Sequence, residues 1–330
     1  MVVRRLIAGV DPLVRLLLVA ILLATFAPVT QGWRPLAQGV SDAAIFLLFL
    51  LNGLRLPRAE VVRGARNWRF LLPLIAWVFL AMGAAGWALS QLGATLLPPQ
   101  VALGLVFLGV LPSTVQSATA YSSIAGGNVA ASVVAAAVIN ILGVFVSAAL
   151  LSLLTGGQAF SVDTEGLQRI GTILLLPFAA GQILQTRFGH LVRDHKRLSS
   201  WMDRIAIAIA VYVAFSGAVE QGLWSKVDLP AWIALLGLIG GFLLIGFGGA
   251  WLLGGALRLQ RGDRIAFLFA GAQKSIALGA PLAAVLFPPA VAGLLLLPVL
   301  VYHLLQLVLS APLAARLSRG GRRSPPDGGD

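Results

Sequence analysis

Two stretches hold residues able to do chemistry in an otherwise apolar chain. The first, FLFAGAQKSIALGAPLAAVLF (267–287), carries a single charge, Lys274, at its centre, flanked by Gln273 and Ser275. The second, LPSTVQSATAYSS (111–123), sets Ser113, Thr114, Gln116, Ser117 and Thr119 behind a proline. Amides, hydroxyls and one ammonium bind ions and polar solutes through oxygen ligands and hydrogen bonds. They are poor equipment for hydrolysis or group transfer, which needs a nucleophile with a base or a set of metal ligands. Beyond the two stretches, Ser132 and Asn140 lie in the apolar run that follows the second, and His303 and Gln306 share one face (i, i+3) of the last apolar run. His190 and His195 belong to a basic stretch and read as solvated.

The elements that must position these groups are membrane helices. The 330 residues are 58% hydrophobic and 11% charged, against ~45–50% and ~25% for a soluble domain. Runs long enough to cross a bilayer, ~20 residues each, fall at about 12–29, 36–54, 70–92, 101–125, 128–154, 167–186, 204–223, 230–257, 265–287 and 290–315. No charge lies between Arg69 and Asp163, so breaks at LPPQ (97–100) and AGGN (125–128) divide that segment. The N-terminal run lacks a small-residue cleavage site and reads as the first helix rather than a leader.

Charge placement tests the count. With the N-terminus cytoplasmic, twenty of the 24 basic residues fall inside, and Arg34, Arg169 and Lys226 fall outside. Both termini are therefore expected in the cytoplasm, with an inner-membrane location. The net charge of +12 then reflects cytoplasmic loops and not nucleic-acid binding. With no Cys there is no disulfide framework, and no phosphate-cradling Gly-rich loop appears. The polar, Gly- and Pro-rich tail 317–330 is expected to be disordered.

A Lys at the bilayer centre costs ~2.5–3.5 kcal/mol on insertion scales. Lys274 stands ten residues from Arg264, about 15 Å along a helix, too far to reach the interface comfortably. It is expected to face a polar cavity, whereas any single Ser or Thr here can also be a packing residue bonded to its own backbone. The two polar stretches fall in the fourth and ninth spans, the fourth of each half. Interrupted helices in corresponding positions of two halves point to the central site of a secondary transporter. Five spans is an odd number, so the second copy would be inverted.

Longer blocks carry a family resemblance. LPSTVQSATAYSSIAGGNVAASVVAAAVINILG (111–143) and the 267–287 stretch resemble the bile acid:sodium symporter superfamily, in its symporter-like branch. FLLFLLNGLRLP (46–57), LLLPFAAGQILQ (174–185) and LPVLVYHLLQLVLSAPLA (297–314) are similar to it as well. The resemblance implies an all-α membrane protein of ten helices in an inverted five-plus-five repeat, 1–155 and 156–316. It implies a core domain (70–154 with 230–315) holding crossed, broken helices four and nine, and a panel domain (12–54 with 167–223). In sodium-coupled relatives a Glu of the ninth span binds sodium, with Gln and then Asn four and five residues on. Here the Gln is matched by Gln273, while Phe269 stands at the Glu position and Lys274 at the Asn position. In the fourth and fifth spans the Ser–Asn pair of those relatives is replaced by Ala118 and Thr119 or their neighbours. Ser132 retains a matching hydroxyl, and the Thr four residues on becomes Ala136.

The resemblance thus implies a carrier of a small organic, anionic solute in the lipid bilayer, with no cofactor and with sodium doubtful. Lys274 would then replace a cation, load and release a proton, or pair with the solute. A membrane subunit that binds a ligand without transport, or a sodium-coupled symporter with an altered site, is the alternative.

Overall fold

The computed structural model describes residues 11–55, 67–157 and 168–321, and among them every regular element is helical. The longer of these are α1 (Pro12–Phe26), α2 (Arg34–Arg55), α3 (Trp68–Gly93), α4 (Pro99–Val110), α5 (Val115–Ile124) and α6 (Val129–Leu154). A π-turn (Ile170–Leu175) runs into α7 (Leu176–Asp194). Then follow α8 (Lys196–Glu220), α9 (Leu229–Ala256), α10 (Arg261–Ala272), α11 (Ile276–Leu286) and α12 (Pro289–Gly321). Among the described residues, seven helices or helix pairs are long and apolar enough to cross a membrane, and eight when the bent pair α4–α5 counts as one span. At 15 residues, α1 is shorter than a full crossing. Residues 322–330, most of the tail expected to be disordered, lie outside the described residues.

Local chemistry sets most helix starts. Asp11 accepts from the Leu13 amide, Asn128 from Ala131 and Asp228 from Ala231, each relieving an orphan N–H of a first turn. Proline in the first turn of α1, α4 and α9 has no N–H to orphan. Leu22, Phe26, Leu72, Leu92, Leu153, Leu244 and Leu252 point outward, as they do where the surroundings are hydrocarbon.

Both helices suspected of being interrupted are interrupted, for different reasons. After α4 the chain runs extended through Leu111–Thr114, and α5 leaves at 59° to α4. Pro112 supplies no N–H and biases Leu111 out of the helical region, where it has φ −68° and ψ 147°. Between α10 and α11 there is no proline, yet Gln273 is extended (φ −82°, ψ 139°) and the helix restarts only after Ser275. Side chains from other helices must hold that break open.

The helices gather into two apolar clusters. The larger surrounds α4, α8, α11 and α12, and the smaller α5, α10 and the first half of α3. α1, α2, α7 and α8 pack on one another, and α8 also lies along α12. At the α2–α7 crossing the backbones nearly touch. A methyl on Gly53 would run into the Phe178 carbonyl and stand 3.0 Å from Gly181 Cα, while Gln182 Nε2 donates to the Gly53 carbonyl at 2.6 Å. Such close approach between small residues is how membrane helices gain packing where water supplies no drive.

Gly53→Leu is therefore expected to force α2 and α7 apart and lower stability by about 1–3 kcal/mol, the usual range for overpacking. A thermal melt of the purified protein followed by tryptophan fluorescence would check it. An unchanged midpoint would mean that the crossing is loosely held.

Candidate functional site

The two breaks face each other, and Lys274 joins them. Its residue is 1% exposed, and its Nζ donates to three backbone carbonyls: Val78 at 2.8 Å, Gly109 at 2.7 Å and Leu111 at 2.8 Å. An ammonium has three N–H donors and all three are used. Gly109 and Leu111 belong to the end of α4, where the last carbonyls have no partner in their own helix and the helix dipole is negative. Val78 lies in a π-turn of α3 (Trp77–Ala81), a wider turn that disturbs the regular α-helical ladder. The approach of α3 to α4 depends on glycine, since a Cβ on Gly109 would sit 2.6 Å from the Met82 carbonyl.

The other freed backbone groups are matched in turn. The Val110 carbonyl accepts from Ser147 Oγ at 2.7 Å, that of Pro112 from the Ser275 amide at 2.9 Å, and that of Ser113 from Asn140 Nδ2 at 2.8 Å. With Gly109 and Leu111 taken by Lys274, five consecutive carbonyls at the first break all have partners. At the second break α12 does the same work. Tyr302 donates to the Ala272 carbonyl at 2.6 Å, and the Gln306 amide takes both sides of Lys274, its Oε1 accepting from the amide at 2.8 Å and its Nε2 donating to the carbonyl at 3.0 Å. An unpaired backbone group in hydrocarbon costs several kcal/mol, so this pairing is what lets non-helical backbone lie at membrane depth. Ser275 caps α11 by accepting from Leu278 at 3.3 Å.

Beside the ammonium lies a neutral polar cluster. Gln273 Oε1 accepts from Thr114 Oγ1 at 2.7 Å and from Ser117 Oγ, and Gln273 Nε2 donates to Ser310 Oγ at 3.1 Å. His303 is 5% exposed, and its Nδ1 accepts from Gln306 Nε2 at 2.9 Å. No carboxylate joins these contacts. Phe269 is fully buried between the rings of Tyr121 and Phe247, with centroids 5.9 and 6.4 Å away. No group of three His, Cys, Asp or Glu placed to hold a metal ion occurs among the described residues.

Of the residues singled out from sequence, Lys274, Gln273, Ser275, Ser113, Thr114, Ser117, Asn140 and His303 meet at this crossing. Three do not join its hydrogen bonds: Gln116 is exposed, the Thr119 hydroxyl is buried without a partner, and Ser132 pairs with Ser122 at 3.4 Å between α5 and α6. The expectation that Lys274 faces a polar cavity needs correction. Its amine is enclosed by carbonyls, and neither of two cavities among the described residues is lined by it. The reason is electrostatic: carbonyl oxygens crowded at a helix end solvate the cation in place of water. Sequence reasoning missed Tyr302, Ser310 and Ser147. Tyr302, Gln306 and Ser310 repeat every four residues along α12, a polar stripe legible in an otherwise apolar helix.

Comparison with known proteins adds an independent finding. The description of the SBF-like CPA transporter family matches residues 11–319. An uncharacterised Pseudomonas aeruginosa protein, PA2026, is 36% identical over 307 residues, covering 92% of this chain and 91% of its own. An Escherichia coli protein named "Putative symporter YfeH" is 33% identical, covering 94% and 93%. The mouse protein named sodium/bile acid cotransporter 7 is 24% identical, covering 83% and 82%.

Lys274→Met keeps the length of the side chain and removes its donors. Three buried carbonyls then lose their partner, and a stability loss of roughly 3–5 kcal/mol is expected, larger than for Gln306→Leu. Thermal melts of both variants check the order; a Lys274→Met protein as stable as wild type would refute the account of the crossing.

Proposed function

The chain belongs to the SBF-like CPA transporter family, in keeping with its resemblance to the bile acid:sodium symporter superfamily, and from that premise we propose how this membrane transporter works. It carries a small organic anion across the inner membrane by alternating access, with the Lys274 ammonium in the place of a bound cation. The observation that carries the reading is the cage of three carbonyls around Nζ at 2.7–2.8 Å. Backbone oxygens at such distances are the ligands a monovalent cation would use, and here a covalently attached one holds them. A carrier built this way needs no sodium to assemble its crossing. The absence of a carboxylate at Phe269 supports the same conclusion.

Of the other two roles open to Lys274, pairing with the solute has no geometric support, since every N–H is spent and the residue is buried. Cycling a proton would leave one carbonyl unpaired in each cycle, so proton coupling stands second. A subunit that binds a ligand without moving it is the remaining reading.

Ten crossings follow if α1 and the unit from Ile170 to Asp194 each span the membrane with help from their neighbours. Two features support an inverted repeat. Breaks occur in the fourth and ninth spans, and π-turns occur in the third and eighth, at Trp77–Ala81 and Ile245–Gly249. Core (α3–α6, α9–α12) and panel (α1, α2, α7, α8) would be the moving parts. The two half-helices differ in a way that suggests the state. α11 is almost wholly buried, packing on α8 as well as α12. α5, whose end adjoins Arg261, leaves Gln116, Ala120 and Ser123 exposed. With the Arg-rich ends in the cytoplasm, this is a conformation closed to the outside and open inward.

A thermal-shift screen of wild type and Lys274→Ala against organic anions identifies a solute, and uptake of it into liposomes containing only this chain tests the mechanism. Wild-type uptake is expected to change by less than about twofold when choline replaces sodium, the change expected if no sodium ion is bound. Strict dependence on sodium would sink the substitution of Lys274 for a cation, and no flux of any stabilising solute would favour the non-transporting alternative. In Lys274→Ala, methylammonium is expected to raise the melting temperature by refilling the emptied cage, and it should leave wild type unchanged.

A further inference from the structure

Where α9 turns into α10 the chain keeps a strained residue. α9 closes with a pair of reversed bonds: the Arg258 amide donates to the Gly255 carbonyl at 2.9 Å and the Leu259 amide to that of Gly254 at 3.1 Å. The closing residue of such a turn is left-handed and is usually Gly. Here it is Arg258, at φ 52°, the only residue other than Gly with a positive φ among the described residues. An L-residue held there gives up stability that Gly would keep. Its side chain is exposed, so packing does not offset the strain.

Arg264, in the first turn of α10, lies back over the same turn. Its guanidinium stacks on the Trp251 ring, Cζ 3.9 Å from the centroid, and its Nε donates to the Trp251 carbonyl at 3.0 Å. It also lies against glycine: a methyl on Gly255 would stand 2.8 Å from Nη2 and 2.9 Å from Cζ. The guanidinium is thus fixed in place, while Nη1 and Nη2 have no acceptor among the described residues. The other charges of this link are committed elsewhere. Arg261 Nη2 donates to the Leu317 carbonyl, and Asp263 accepts from Asn128 Nδ2 at 2.7 Å. Lipid lies alongside, since Leu252, next to Trp251, is 70% exposed. Arg69 over Trp68 on α3 and Arg204 over Trp201 on α8 repeat the pairing at 5.6 and 5.5 Å, and indole rings gather at the level of the headgroups. Of the three arginines, Arg264 sits closest to its ring.

We propose that Arg258 and Arg264 bind the phosphate of an anionic phospholipid in the leaflet at the Arg-rich end, with its acyl chains along α9 past Leu252. A planar guanidinium with two free nitrogens matches a phosphate, and basic sites between membrane helices take anionic headgroups in this way. The strain at Arg258 then places a second cation at the phosphate, which Gly could not do. The site uses no residue of the Lys274 crossing and is tested without transport, so it stands or falls apart from the proposed function.

The experiment measures melting temperatures of the purified protein in maltoside detergent with phosphatidylglycerol, phosphatidylcholine or inorganic phosphate added. Phosphatidylglycerol is expected to raise the wild-type midpoint by about 4 °C or more above phosphatidylcholine, as a ligand bound to the folded state does, and inorganic phosphate to leave it unchanged. Arg264→Gln should lose the rise. Arg258→Gly separates binding from folding, because the two move in opposite directions. Without lipid it should melt about 2 °C above wild type, and with phosphatidylglycerol it should gain less than about half of the wild-type rise. Arg187→Gln, which removes an exposed arginine of α7, should keep the full rise. No rise, an equal rise with phosphatidylcholine, or a rise with inorganic phosphate would overturn the proposal. So would an equal loss in Arg187→Gln, a full rise in Arg258→Gly, or an Arg258→Gly protein that melts no higher than wild type without lipid.

Discussion

Everything at the centre of this molecule depends on solvating one ammonium with backbone. Lys274 lies about midway along its apolar stretch, where leaving it unpaired would cost several kcal/mol. The fold meets that demand without an acid. It ends α4 at Val110, turns α3 through a π-turn, and aims carbonyls from both at one nitrogen. The dependence runs both ways. Orphan carbonyls at the end of a half-helix need donors as much as the cation needs acceptors, so neither break nor lysine is tenable without the other.

The same economy of groups appears around the second break. Gln306 pairs with the Lys274 backbone as a neighbouring strand would, and Tyr302 and Ser310 extend the contact one turn in each direction along α12. α12 therefore acts as the template on which the unwound segment is laid. The neutral cluster of Gln273, Thr114 and Ser117 is held between the two.

How much of this could be read from the amino acids varies with the range of the interaction. Apolar run lengths foretell most of the membrane helices, because burial in lipid constrains each span separately, though α1 falls short of a full crossing. The break at Pro112 was legible because proline acts on its own neighbours. The break at Gln273–Ser275 carried only a composition signal, since what opens it comes from Gln306, some thirty residues away. Lys274 itself was legible as costly and its partners were not, because carbonyls have no letter in a sequence. The expectation of a wet cavity around it followed from assuming that only water or side chains could solvate a charge.

The π-turn in α3 also settles how one helix serves two apolar clusters. A π-turn holds about one residue more than an α-turn, which puts the faces before and after it out of phase by roughly 100°. Before it, Phe70, Leu71 and Leu74 sit in the cluster around α5 and α10; after it, Met82 and Leu89 sit in the one around α4 and α12. In a straight α-helix Leu71 and Leu89, 18 residues apart, would point the same way, so the extra residue is what turns the second set toward the other cluster. The kink in the ladder that frees Val78 for the ammonium is thus also the clutch by which α3 changes partners halfway along its length.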